Sequence, residues 1–392
     1  MEDSHFGANA LHNVNIEDGA GHDPAPGFRH AVDSLDIGHL RYPGGHVENT
    51  LDVTRLVDGQ IRPEVRAFLD WCRDSAAAGQ PQAVTFVLPT KTDIPPDRIE
   101  TFVYLLMRDY GDLIDAFEIG NEYSIGPSVS DPDRSTHPEE NPDGDFVSSM
   151  GETAYGTVAN TVIHAVEDAF DRLDAAGIAP SETPAILLQM SDPSGGGSDF
   201  KGTGDYYAAN AAIVAELDPA VIYAIDGVVG HYYYNAHHHG SLDFTGDWQE
   251  TRRMTERYEN IEDHLGRDVD FYITEWNVLA SNEMQSGAAS ASVLLEMFEF
   301  MVQLGVSDAH VWPLQHRTAN TIAGSWTATE TDLSMSGAAF AMMSETVRPV
   351  DSVTGHRSRF ESLQSDWTGI DGSVEINHYA SEYGHVFYLA SR

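Results

Sequence analysis

Lysine is nearly absent from this chain: Lys91 and Lys201 are the only two in 392 residues. With 62 acidic residues against 21 basic ones, the formal net charge is −41. So large a negative charge opposes binding to phosphate backbones and anionic lipid, so neither nucleic acid nor a membrane is expected as a partner. Such a surface suits high salt, where screening weakens self-repulsion, and the host's average composition would produce it equally well. Cysteine is scarcer still. Cys72 stands alone, which excludes an internal disulfide, and its place in the amphipathic pattern Val65, Phe68, Leu69, Cys72 assigns it to the core. No apolar run approaches the roughly 20 residues that span a bilayer. The opening MEDSHFGANAL has neither the basic segment nor the apolar core of a secretory signal. The chain is then cytoplasmic, has lost its signal, or leaves the cell by another route; a secreted protein is the expectation. No G-x-G-x-x-G or P-loop follows any strand, so nucleotide binding has no support.

What is present is enough apolar material, 41% of residues, for one large domain of roughly 250–350 residues with a smaller appendage. Apolar, strand-like runs alternate with helical patterns. Strands are expected at 5–11, 37–42, 83–88, 116–120, 185–190, 227–233, 271–274 and 309–313. Helices are expected near 25–35, 63–78, 96–109, 152–176, 206–217, 248–265, 289–304 and 336–347. Eight such units over about 340 residues predict a (β/α)8 TIM barrel rather than an open doubly wound sheet. After Val350 the alternation stops, and 373–380 with 385–390 reads as a hairpin, either packed on the barrel or opening a β-sandwich. The expected division is a catalytic barrel over 1–349 and a β-rich segment over 350–392. The polar stretch 128–146 and the glycine-rich 191–198 are expected as rim loops. Asn141, Asp143 and Asp145 lack the distal glutamate of a calcium loop.

The stretches AFEIGNEY (116–123) and FYITEWN (271–277) each end an apolar run in a polar cluster. In a barrel, strand C-termini gather at one mouth, where catalytic residues collect. Glu122 and Glu275 are therefore the candidate catalytic pair, two carboxylates flanking a glycosidic bond. Other strand tips add Arg41, able to hold a carboxylate ionised, and Asn121. His231 and Tyr233 share a face by alternation. Trp276, Asn277, Trp312 and Gln315 complete the candidate substrate contacts, with Tyr123 a further stacking aromatic. The run His237–His239 resembles a metal site only superficially, since adjacent histidines point in different directions and no H-E-x-x-H accompanies them. No metal and no cofactor is expected.

With those residues assembled, RYPGG (41–45), EIGNE (118–122) and EWNV (275–278) resemble motifs of the clan A retaining glycoside hydrolases. They are most similar to the family 51 α-L-arabinofuranosidases and more weakly similar to the family 39 β-xylosidases. The resemblance implies a (β/α)8 enzyme with Glu122 as general acid/base and Glu275 as nucleophile. It further implies Asn121 on the substrate 2-hydroxyl, and Arg41, Tyr233 and His231 around the nucleophile. An oligo- or polysaccharide substrate follows, with an endo-acting hydrolase or a non-catalytic sugar-binding protein as rival readings. The chain departs from the family 51 pattern in its acidic loop after strand four, its histidine run after strand six and its short C-terminal sheet region.

Overall fold

A computed structural model describes residues 3–12, 23–45, 52–77, 82–91, 94–125, 149–178, 182–234, 249–280, 287–316, 318–324 and 332–348. Beyond these it describes 361–362, 367–368, 374–381 and 384–391. The acidic loop 128–146 and the run His237–His239 lie outside the described residues.

Eight parallel strands close into a barrel: β1 (Gly7–Asn9), β2 (His39–Tyr42), β3 (Ala83–Leu88), β4 (Ile114–Ile119), β5 (Ala185–Gln189), β6 (Gly227–Tyr234), β7 (Asp270–Val278) and β8 (Asp308–Val311). Each pairs with its neighbour in the chain, and β1 closes the ring on β8 through Gly7–His310 and Ala8–Val311. The expected (β/α)8 architecture is therefore present, with every expected strand in place. Helices fill the crossovers: α1 (Pro26–Leu35), α2 (Pro63–Ala77), α3 (Pro96–Tyr110), α4 (Glu152–Ala175), α5 (Tyr206–Val214), α6 (Pro219–Ala224), α7 (Gln249–Leu265), α8 (Ala288–Gln303) and α9 (Met335–Val347).

The pattern in α3 shows why these segments are helical. Proline at its first position cannot donate a hydrogen bond that no turn would use. Ile99, Phe102, Val103, Leu106, Met107 and Tyr110 recur at helical spacing and are buried, while Asp97 and Arg108 sit at the ends that suit their charges. Short features went unseen in the sequence. One is an antiparallel ribbon pairing Leu56–Val57 with Gln60–Ile61. Another is α6, opened by Asp218, whose carboxylate accepts from the amides of Ala220 and Val221.

Alternation along the strands divides the interior in two. Outward residues such as Tyr42, Phe86, Phe117 and Ile273 join one continuous core with the helices. Inward ones form a separate small apolar plug of Ala116, Leu187, Val229 and Tyr272. Above that plug the barrel lining is polar, and that is where the candidate site lies.

The C-terminal hairpin pairs β11 (Val374–Ser381) with β12 (Gly384–Ser391), and β9 (Glu361–Ser362) and β10 (Trp367–Thr368) both line the far edge of β11. The sheet packs on the barrel's helices. Tyr379 is fully buried, and the Tyr388 hydroxyl meets that of Thr346 on α9. The opposite face leaves Phe387 and Leu389 exposed.

Candidate active site

Arg41 is the centre of the polar layer. It is completely buried and makes five hydrogen bonds to four side chains. Its Nε and Nη2 clasp Glu118 at 2.6 and 2.7 Å. Nη1 donates to Glu275 Oε1 at 2.6 Å and to Asn9 Oδ1 at 2.9 Å, and Nη2 donates to Asn121 Oδ1 at 2.6 Å. Burial works against the guanidinium charge, but Glu118 and then Glu275 outweigh it and hold Arg41 above its ordinary range. A lone buried ion pair seldom repays its desolvation; a fork that meets two carboxylates and two amides comes much closer.

Each partner is fixed in turn. Asn9 donates its amide to the Thr274 carbonyl at 2.9 Å, and a Cβ at Gly44 would lie 2.8 Å from Asn9 Oδ1, so glycine is required there. Gln189 donates to Glu118 Oε1 at 2.8 Å and to the Gly120 carbonyl at 2.9 Å. Because Asn121 Oδ1 accepts from Arg41, its Nδ2 is turned elsewhere and has no hydrogen-bond partner although buried.

Glu275 is held from two sides, by Arg41 on Oε1 and by the Tyr233 hydroxyl on Oε2 at 2.7 Å. Burial, reinforced by Glu275 and Glu122, keeps the Tyr233 phenol protonated far above its ordinary range, so it acts as a donor. Glu122 is the more open carboxylate, its side chain 20% exposed against 5% for Glu275. It accepts or shares a proton with His231 Nδ1 at 3.0 Å. Burial disfavours the His231 cation, yet Glu275 and then Glu122 overcome this and raise its pKa. Oxygens of Glu122 and Glu275 and a nitrogen of His231 lie within 4.8 Å of one another. Such a triangle has the donors for a metal ion, but Arg41 already neutralises Glu275 and would repel a divalent cation.

Glu122 sits at φ 43°, after Gly120 at φ 84°. A left-handed conformation is uncommon for glutamate, and its carbonyl accepts from the Ile125 amide at 2.8 Å to close a tight turn. The turn lifts the carboxylate off the strand axis toward His231. Opposite it, the loop after β5 is pinned rather than loose: Ser198 Oγ and the Asp199 amide donate to the buried Glu152 at 2.6 and 2.8 Å.

Glu122, Glu275, Arg41, Asn121, His231 and Tyr233 are thus brought together, and Trp312 joins them at the rim with its ring edge-on to Tyr233 at 6.0 Å. Four expected contacts are not at the site. Trp276 is fully buried against Phe298 and Phe340, because the residue after an inward glutamate faces outward. Tyr123 stacks on Tyr155 at 4.2 Å in the core. Asn277 spends its amide on the Trp312 and Asn320 carbonyls, both at 2.9 Å, and Gln315 is 1% exposed. Neither presents a surface to a sugar. Glu118, Gln189 and Asn9 were not anticipated. Their signal was parity: each lies two residues along its strand from an inward-facing position, Ala116, Leu187 and Gly7 respectively.

No family model matches the chain, and no curated protein matches it by sequence. Solved structures do match. CelM2, a bifunctional glucanase-xylanase protein from a metagenome library, is 11% identical with a TM-score of 0.58, covering 97% of this chain and 82% of its own. AbfB, a family 51 α-L-arabinofuranosidase from Bifidobacterium longum, is 14% identical with a TM-score of 0.57, covering 97% and 81%. A family 39 glycoside hydrolase from Bacteroides cellulosilyticus WH2 is 13% identical with a TM-score of 0.54, covering 99% and 71%. The shared property is the fold. It is a (β/α)8 barrel.

Proposed function

We propose that the chain is a retaining glycoside hydrolase acting on oligo- or polysaccharides. One observation carries the reading: Glu122 and Glu275 place carboxylate oxygens within 4.8 Å of each other while standing in different environments. Retaining enzymes need their two carboxyl groups about 5–5.5 Å apart, whereas inverting ones leave about 6.5–9.5 Å for a water.

The environments divide the roles. Glu275, bound by Arg41 and Tyr233, is held as the carboxylate that attacks the anomeric carbon. Glu122, more open and backed by His231, protonates the departing glycosidic oxygen. It then takes a proton from the water that hydrolyses the glycosyl-enzyme. The unpartnered Nδ2 of Asn121 is available to a sugar hydroxyl beside the anomeric centre, and Trp312 offers an aromatic edge at the mouth.

The test is hydrolysis of a panel of aryl glycosides and polysaccharides by wild type, Glu275→Ala and Glu122→Ala. The proposal expects no turnover in Glu275→Ala and azide-rescued turnover in Glu122→Ala on a substrate with a good leaving group. Activity on polymers alone would identify an endo-acting hydrolase. Binding without turnover on every substrate would replace the enzyme with a sugar-binding protein.

A further inference from the structure

At the opposite, N-terminal end of the barrel a second polar cluster serves no part of this chemistry. His39 opens β2. Asp308 and His310 are two apart on β8, so both point inward. Between those strands runs β1, which contributes Gly7. A Cβ there would come within 2.6 Å of His310 Cδ2, so the missing side chain lets the two histidines meet across it, ring centroids 4.7 Å apart at 88°. His39 Nδ1 lies 3.0 Å from Asp308 Oδ2, and His310 Nε2 lies 3.9 Å from the same oxygen.

These groups are sealed and unsatisfied. His310 is 0% and Asp308 2% exposed. Both ring nitrogens of His310 are buried without a hydrogen bond, and the nearest side-chain approach to the buried Asp308 carboxylate is that of His39 Nδ1. Each such buried orphan costs about 1–3 kcal/mol, and three residues from two distant parts of the chain converge on one point. A shared cation would give one ring nitrogen of His310 and a carboxylate oxygen of Asp308 a partner at once.

We propose that this floor cluster binds a divalent transition-metal ion of the zinc class through His39, Asp308 and His310. Two imidazoles and one carboxylate suit zinc and its neighbours, whereas calcium and magnesium take oxygen donors. Ligand atoms about 2.0–2.2 Å from a tetrahedral zinc stand about 3.3–3.6 Å from each other, between the 3.0 and 3.9 Å spacings found here. One atom from each residue already falls within 4.8 Å of the other two. The outer contact is present as well: His39 Nε2 lies 3.0 Å from Thr85 Oγ1. Donation to that hydroxyl leaves Nδ1 bare toward Asp308, the arrangement that orients a ligating imidazole. Access is by way of Asp115, whose side chain is 55% exposed and whose Oδ2 lies 3.9 Å from His39 Nε2. Lying at the far end of the barrel from Glu122 and Glu275, the ion is structural: it fastens β2 to β8 across the side-chain gap in β1.

The probe is cobalt(II), whose visible absorption reports tetrahedral nitrogen and oxygen ligation, added to full-length protein stripped with a chelator. The proposal expects one cobalt or zinc per chain, and a thermal midpoint that drops on stripping and returns with zinc. Affinity should weaken at least ~100-fold in Asp308→Asn and His310→Gln but not in Glu122→Gln, which separates the floor from the mouth. A stripped wild type with unchanged midpoint and no cobalt band would mean that a proton shared by Asp308 and His39 fills the site, and would overturn the proposal. So would a band that survives both floor substitutions. The wild-type arm decides the matter even where a variant fails to fold.

Discussion

Arg41 and Glu275 meet at 2.6 Å with the arginine entirely closed to solvent and the glutamate side chain only 5% exposed. One charge cannot be removed there without stranding another. Arg41→Met should therefore unfold the protein by about 3–5 kcal/mol more easily, because Glu118 and Glu275 are left as uncompensated buried charges. Arg41→Met with Glu118→Leu should recover much of that stability without recovering turnover. Denaturant titration and initial rates on the same samples check both halves. A double variant as unstable as the single one would mean that the loss comes from packing rather than charge.

Tyr233 donates to the other oxygen of Glu275, and its loss should touch chemistry more than folding. Tyr233→Phe keeps the ring beside Trp312 and deletes only the hydroxyl. A fall in kcat of about 10²-fold is expected with the thermal midpoint nearly unchanged, in line with the removal of one positioned donor. Equal kcat in both proteins would show that Arg41 alone is enough to fix Glu275.

The proton between Glu122 and His231 sets a pH dependence. His231 titrates above its ordinary 6.5 because Glu275 and Glu122 together outweigh burial. A raised folded value means that this pairing contributes its full stability below pH 6.5 and loses it as pH rises through the folded value. The pair also keeps its proton over that window, so the alkaline limb of kcat/KM should lie above 6.5. In His231→Gln the limb should move to lower pH and the stability change across the window should shrink. A pH–rate profile with no displacement of the limb would count against the shared proton.

Two tryptophans expected to do the same work should separate. Trp276→Ala empties a fully buried position between α8 and α9 and should cost about 3–5 kcal/mol of stability. Trp312→Ala, at the partly open mouth, should raise KM with a much smaller effect on unfolding. Thermal melts and Michaelis curves on the two variants distinguish them.

That contrast also marks how much could be read in the sequence. The barrel strands were legible because they are largely buried on both faces, so that most read as short apolar runs alternating with helical patterns and ending in a polar cluster. Glu122 and Glu275 were legible for the same reason, as the groups that follow such runs. Trp276 was misread because it stands beside Glu275, and neighbours on a strand look in opposite directions. Glu118 escaped notice because an acid inside AFEIG looks like an interruption of the strand. The arginine contributed from β2, 77 positions away, and the Gln189 amide make it tolerable. His39, Asp308 and His310 were invisible as a group, since no local spacing joins residues from the first and last thirds of the chain.

Asn9 carries a consequence for the order in which the molecule can be made. Its side-chain amide lies against the carbonyls of Thr274, His310 and Val311, while its oxygen receives Arg41. A chain still emerging from the ribosome has synthesised Arg41, Glu118 and Glu122 long before those three carbonyls exist. Until Val311 has been made, the arginine that organises the mouth lacks its full support. The eighth barrel strand is therefore the one that completes the support of Arg41, and products that stop short of it should lack that polar layer however well their first strands form.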